Sequence, residues 1–353
     1  MTRVVVTGAA GPLGSRVVAL LAQRADVDEV VAIDVHRPAT PAGHAVVTAR
    51  QADLATADLG PIVEGADAIV HLATVFGPIL DGPEVDGAVD VTMARRVLEA
   101  ADKAGIERIV LLSSATVYGP WANNPVPLTE DAPLRPHPDL PHAVQLAEVE
   151  RLAAEFVGAH PGACVARLRP APMVHEGSGG WLAEALHAAA DVPTADETPA
   201  QYVHVDDVAT AVVAAWDARL DGPVNVAPDG WLTPTERRAL DPVPKVRLPE
   251  RAALALASWR WRLRLAPTTP GILAYARHPW VVANDRLAAT GWAAANSNEE
   301  AYVAGHEARV IESISPRRRQ ELALGLAGVA IAGSAVAVVA VVRSRRRRRS
   351  AAA

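Results

Sequence analysis

The 353-residue sequence has one cysteine, two phenylalanines, four tyrosines and two lysines. A lone thiol, Cys164, cannot close an internal disulfide, and no apolar stretch precedes the first strand-like run to serve as a leader. The folded body is therefore expected in a reducing cytoplasm. With so few Phe and Tyr rings, the core has to be built from Ala, Val and Leu, with eight Trp as its bulky pieces. Positive charge is carried almost entirely by Arg, so a function that needs an ammonium group has only Lys103 and Lys245 to draw on. The net charge is −6, yet residues 317–353 hold nine Arg and one Glu, which makes the body acidic and the tail basic. An acidic body argues against a nucleic-acid surface, so no nucleic-acid partner is expected. No metal site is expected either. The length suits one large or two modest domains.

What is present is concentrated in the first stretch. Val4-Val5-Val6 is a β-branched run, Thr7 to Gly14 is a turn with glycine at 8, 11 and 14, and Ser15 to Leu21 opens an amphipathic helix. Glycine at those positions lets the chain turn sharply, approach a pyrophosphate without a Cβ in the way, and pack the helix on its strand. The helix N-terminus then offers free N–H groups and the positive end of its dipole to phosphates. A second apolar strand, Val30 to Ile33, ends in Asp34, about 20 residues after the last glycine, where an acid accepts hydrogen bonds from ribose hydroxyls. Strand and helix patterns go on alternating. Ala45 to Thr48 reads as a third strand and Ala68 to Ala73 as a fourth. Residues 86–104 have helical spacing and stop at Gly105 as a glycine C-cap should, and Ile109 to Leu112 is a buried strand running into Ser113 to Gly119. The alternation predicts an α/β fold, a doubly wound parallel sheet covered on both faces, with ligands beyond the carboxyl ends of its strands.

Taken together, Thr7 to Gly14, Asp34, Asp53-Leu54, His71-Leu72-Ala73 and Ser113 to Gly119 resemble the extended short-chain dehydrogenase/reductase family, which comprises NAD-dependent epimerases, dehydratases and hydroxysteroid dehydrogenases. Arg167 to Pro170, Tyr202 to Ala209, Gly222 to Ala227, Asn284 to Leu287 and Gly291-Trp292 resemble its later landmarks, so the match spans about residues 1–300. The resemblance implies a Rossmann domain over 1–165 with returning segments from about 200–230, and a mainly substrate-binding part over 166–315. It implies NAD as cofactor, held around Gly8, Gly11, Pro12, Leu13, Gly14, Asp34, Asp53, Leu54, Leu72 and Ala73. It implies a small-molecule substrate, a sugar nucleotide or a sterol or lipid alcohol, and Ser114 as the catalytic serine.

One departure stands out. The family's reaction uses a Tyr as proton donor or acceptor and a Lys four residues on, one helical turn along, whose charge lowers the phenol pKa. Here the aligned positions hold His142 and Leu146. Four residues after Tyr118, Tyr202, Tyr275 and Tyr302 come Ala122, Asp206, Pro279 and His306, so the pair has not moved elsewhere. Asp90 stands where Asn is usual, and Pro172 where an amide is common. An imidazole titrates near pH ~6.5, which makes His142 the candidate proton-transfer group. Two readings follow: an NAD-dependent epimerase/dehydratase-like oxidoreductase with Ser114 and His142 in atypical roles, or a non-catalytic NAD(H)-binding sensor or scaffold.

Plainer roles are also open. Asp206 or Asp207 suits a helix cap, His71 a satisfied core histidine, and Tyr118 a structural position. Residues 249–266 interleave Trp259 and Trp261 with Arg260, Arg262 and Arg264, which fits either a membrane interface or an ordinary covering helix. After a basic linker at 316–321, Leu322 to Val342 is 21 residues without a charge, enough at ~1.5 Å per residue to cross ~30 Å of hydrocarbon, and an Arg-rich tail follows at 343–353. This predicts a C-terminal transmembrane helix holding the protein at the cytoplasmic face of the cell membrane. Its small residues Gly325, Gly328 and Gly333 permit close helix pairing, and a homodimer is among the expected associations.

Overall fold

The computed structural model describes residues 2–75, 88–175, 180–190, 198–240, 250–263 and 269–305. The chain alternates as the pattern predicts. Strand β1 (Arg3–Thr7) leads into helix α1 (Pro12–Ala22), and then come β2 (Glu29–Asp34), β3 (Val46–Gln51), the short α2 (Gly60–Val63), β4 (Ala68–His71), α3 (Val89–Ala104) and β5 (Arg108–Leu112). A single 3₁₀ turn, Ala115–Tyr118, precedes α4 (Pro141–Ala159) and β6 (Cys164–Pro170). The remainder is β7 (Met173–Val174), α5 (Gly180–Ala190), β8 (Val203–His204), α6 (Val205–Asp217), β9 (Gly222–Val226), α7 (Pro234–Leu240), α8 (Glu250–Arg262), α9 (Ile272–Tyr275), α10 (Asp285–Ala288) and α11 (Asn298–Ala304).

Seven strands form one parallel sheet in the order β3-β2-β1-β4-β5-β6-β9. The order reverses between β1 and β4, and the crevice at that switch point is where such sheets bind ligands. Alternation in β1 sorts the layers. Val4 and Val6 pack with Val17, Leu21, Val208 and Val212 of α1 and α6, whereas Val5 packs with Val97, Leu98, Val149 and Leu152 of α3 and α4. Both faces are thus covered, which is why these strands read as continuous apolar runs. The scarcity of Phe and Tyr is met as expected, with Trp216, Trp280 and Trp292 filling the large gaps on one face. β7 and β8 form a separate two-stranded parallel sheet beside the main one.

Several boundaries differ from expectation. β3 runs from Val46 to Gln51, beyond the apolar stretch ending at Thr48, because pairing with β2 as far as Asp34↔Gln51 carries polar residues into the ladder. α3 ends as predicted at Gly105, in the left-handed conformation at φ 67°. The cap of α6 is neither Asp206 nor Asp207. The helix begins at Val205, so His204 occupies the cap and accepts from the Asp206 N–H, while the two acids fall in the first turn, where they favour the helix dipole. Asp207 instead accepts from the backbone N–H groups of Ala295 and Asn296. The predicted membrane-spanning segment 322–342 lies outside the described residues, among which no helix is long and apolar enough to cross a membrane.

Candidate active site

The glycine turn sits at the switch point. Gly8 has φ 70°, and a Cβ there would lie 2.7 Å from the Ala73 nitrogen. A Cβ on Gly14 would come within 2.0 Å of the Gly8 carbonyl oxygen, so side chains are excluded at both positions by backbone. Gly11 differs, because the nearest atom to its Cβ would be 3.4 Å away, an ordinary contact distance at which no backbone atom bars a side chain. Gly11 precedes α1 with no side-chain cap, and Pro12 follows in the first turn, leaving the helix's leading N–H groups for a ligand. At the end of β2, Asp34 accepts from the N–H groups of Ala10 and His36, one on each carboxylate oxygen, at 3.0 Å. Those bonds hold the carboxylate beside the glycine turn and leave lone pairs on both oxygens. This cradle fits a dinucleotide: a glycine loop, an uncapped helix start and a fixed acid at the neighbouring strand end.

Asp53 and Leu54 follow β3, next to Asp34 in the sheet. The Asp53 carboxylate is engaged by its own turn, accepting from Ala55 N and Thr56 Oγ1, and Leu54 is buried. Leu72 and Ala73 follow β4 and pass under Gly8.

A second group converges on a cavity of ≈ 270 Å³. Pro12 and Leu13 come from the start of α1, Ser113 and Ser114 from just after β5, His142 and Leu146 from α4, Pro170 and Ala171 from the end of β6 and the residue after it, and Met173 and Val174 from β7. Ser114 and His142, the candidates from sequence, therefore open onto one space, and Leu146 lies one turn along α4 as the spacing requires. Val205, within the Tyr202 to Ala209 landmark, also lines it, as do Thr74, His175 and Trp181, which sequence reasoning does not single out. They stand in short irregular segments or at element starts, where no periodicity marks them.

Ser114 is not the exposed hydroxyl that its place at a sheet edge suggests. It is buried, and its oxygen accepts from Thr116 N and Thr116 Oγ1 as the cap of the 3₁₀ turn, which leaves its own proton to donate. The His142 ring is buried edge-on to Trp181, with centroids 5.5 Å apart. Burial pulls its pKa down to about 4, so the neutral imidazole faces the cavity at neutral pH. Its Nδ1 lies 4.0 Å from Oδ2 of Asp90, whose carboxyl burial pushes above the usual range.

The plainer roles hold for His71 and Tyr118. His71 is buried in β4 with Nδ1 2.8 Å from Thr7 Oγ1. The Tyr118 hydroxyl donates to Asn225 Oδ1 at 2.7 Å and accepts from Arg169, and burial pushes it up to about 12. No tyrosine lines the cavity among the described residues.

Residues 4–227 match the model of the NAD dependent epimerase/dehydratase family. An uncharacterized protein of Mycobacterium tuberculosis is 28% identical over 237 residues, 65% of this chain and 63% of its own length. A 3-diazoavenalumate denitrifying reductase of a Streptomyces species is 28% identical over 271 residues, 73% of this chain and 88% of that protein. Among solved structures, the UDP-glucose 4-epimerase of Thermus thermophilus in complex with NAD superposes with a TM-score of 0.62 at 22% identity, covering 86% of this chain and 97% of the other.

Proposed function

Because the chain belongs to the NAD dependent epimerase/dehydratase family, we infer that it is an NAD-binding oxidoreductase whose substrate is a small apolar alcohol or carbonyl compound. The observation that carries this reading is the cavity, in which Ser114, His142 and a few other polar groups open onto walls of Leu112, Leu146, Pro170, Met173, Val174 and Trp181. Among the described residues neither Arg nor Lys lines this cavity, which favours a sterol-like or lipid alcohol. A sugar nucleotide is the alternative, since Arg237 lines the adjoining pocket that shares Ala171. NAD, when bound, supplies a hydride acceptor and in its reduced form a donor. The chain supplies the rest. The loop and the start of α1 face the pyrophosphate, Asp34 accepts from ribose hydroxyls, Ser114 donates to the substrate oxygen, and His142 exchanges the proton.

The test is turnover. Purified full-length protein with NAD and a panel of apolar secondary alcohols should generate the reduced-nicotinamide absorbance, and His142→Ala should lower kcat by ~10²-fold or more. NAD binding without turnover on apolar alcohols or sugar nucleotides would favour the sensor or scaffold reading. Equal rates in parent and His142→Ala would remove His142 from the proton-transfer role.

Cofactor choice gives a second measurement. A carboxylate held at Asp34 repels a 2′-phosphate, so NAD should bind more tightly than NADP, and Asp34→Ala should narrow the gap. Tighter NADP binding by the parent would overturn the placement of Asp34.

The reading includes a membrane anchor at Leu322 to Val342, with the body at the cytoplasmic face. Helix α8 and the residue after it support it by leaving Trp259 and Leu263 exposed at 56% and 51% beside Arg262, a composition suited to a lipid headgroup layer. Full-length protein should remain with membranes through carbonate extraction, and a chain ending at Ser315 should not. Release of the full chain by carbonate would exclude a span.

A further inference from the structure

Two of the positions at which the sequence departs from the family pattern, Asp90 and His142, lie 52 residues apart, and the fold brings them face to face. Asp90 lies in the first turn of α3 and His142 in the first turn of α4, two helices packed side by side on one face of the sheet. The Asp90 carboxylate is not free to turn. Its Oδ1 accepts from the Val75 N–H at 2.8 Å, and this directs Oδ2 at the imidazole, 4.0 Å from Nδ1. That separation is too long for a direct hydrogen bond and within reach of an ion pair. Both side chains are buried, at 5% and 10% exposure.

We propose that Asp90 is a positioning residue for His142, fixing the imidazole proton on Nδ1 and stabilising the imidazolium formed when Nε2 takes a proton in the cavity. A buried phenol needs a neighbouring cation to give up its proton, and a buried imidazole needs a neighbouring anion to accept one. This chain has lost the cation, with Leu146 in its place, and gained the anion. The groups facing the cavity from the surrounding elements are Thr74, Ser113, Ser114, His175 and Trp181, besides His142 itself. Asp90, with Oδ2 4.0 Å from Nδ1, is a carboxylate that faces the ring. When a substrate hydroxyl loses its proton to Nε2, the charge appears on a ring already facing a carboxylate. Burial pulls the imidazole down to about 4, and a carboxylate facing the ring favours its charged form.

The inference rests on His142 as the proton-transfer group, and the experiment separates the two claims. Full-length protein labelled with ¹⁵N and ¹³C at histidine is titrated by NMR, with the His142 signals identified by their loss in His142→Gln. In the parent at neutral pH, the ¹⁵N shifts should show the proton on Nδ1. In Asp90→Asn, which keeps the Oδ1 acceptor for Val75, that preference should be lost. The His142 midpoint should also fall by about one pH unit or more, while His71 stays unchanged. Asp90→Glu should retain part of both effects. Activity adds an independent readout: in Asp90→Asn the acid limb of kcat/KM should move to lower pH and the plateau should drop. An unaltered tautomer together with an unaltered midpoint, in a variant that still binds NAD, would overturn the pairing. An altered tautomer or midpoint in a protein without turnover would uphold the pairing and count against the oxidoreductase reading.

Discussion

Glu150→Ala should cost about 3–5 kcal/mol of stability, lowering Tm by roughly 5–8 °C for a folded unit of about 300 residues. Glu150 is 1% exposed in α4, and the guanidinium that it faces, Arg169 of β6, is 4% exposed. Its carboxylate accepts from Arg169 Nε at 2.9 Å and Nη2 at 2.5 Å, and from Ser113 Oγ at 2.6 Å. Arg169 reaches on to the Tyr118 hydroxyl at 2.6 Å, and its guanidinium lies 4.8 Å from the centre of the Tyr118 ring. Removing the carboxylate leaves a buried guanidinium without its counter-ion. The cost is then the desolvation of that charge rather than the net worth of the pair, which is small. It follows that Glu150→Met with Arg169→Leu should cost less than Glu150→Met alone. The pair also fixes Ser113, the residue before Ser114, so the single variants should lose activity along with stability. Thermal and denaturant unfolding of the three variants checks this. A Tm for Glu150→Ala within about 2 °C of the parent would mean that water reaches Arg169.

Of this network the sequence shows only parts. Tyr118 is legible as structural because it sits in a strand-end motif, but Glu150 reads as one polar position on a helix whose buried face is otherwise Ala143, Leu146, Val149 and Ala153. Apolar periodicity reports which face is buried and carries no information about a charge whose partner lies across the sheet. The strands and the glycine turn are legible for the opposite reason, since their constraints are local. Val4 to Val6 alternate between two buried layers, and Gly8 and Gly14 are fixed by backbone atoms a few residues away or one strand over. Asp34 is legible because the βαβ unit sets its distance from the turn. His142 and Leu146 are found by spacing along one helix, whereas the facing of Asp90 on His142 depends on how α3 and α4 pack, and no spacing rule reaches across 52 residues. The cap of α6 escapes by a smaller margin. Placing the helix start one residue earlier hands the capping position from an acid to His204, whose imidazole nitrogen accepts just as well.

The second large effect is a gain. His142→Tyr with Leu146→Lys should restore a phenol and an ammonium on one face of α4, and acid–base catalysis of this kind is typically worth ~10²–10⁴-fold in rate. The structure adds a condition that spacing alone does not supply. A phenol at position 142 would stand against the Asp90 carboxylate, which disfavours the phenolate and opposes the new ammonium's effect on it. The double variant should therefore gain little, and the triple variant with Asp90→Asn should gain most of the available rate. Asn at 90 keeps an acceptor for the Val75 N–H, so the loop stays in place. Leu146→Lys alone should lower activity, because its position is 3% exposed in an apolar wall and the imidazole has no use for a neighbouring cation. Steady-state kinetics of the four proteins on one apolar alcohol, each first shown to bind NAD, orders them as triple, double or parent, then Leu146→Lys. A triple variant no faster than the double one would show that Asp90 does not act on the group at 142. A triple variant that binds NAD yet turns over no faster than the parent would show that α4 does not present these positions to the reacting atoms.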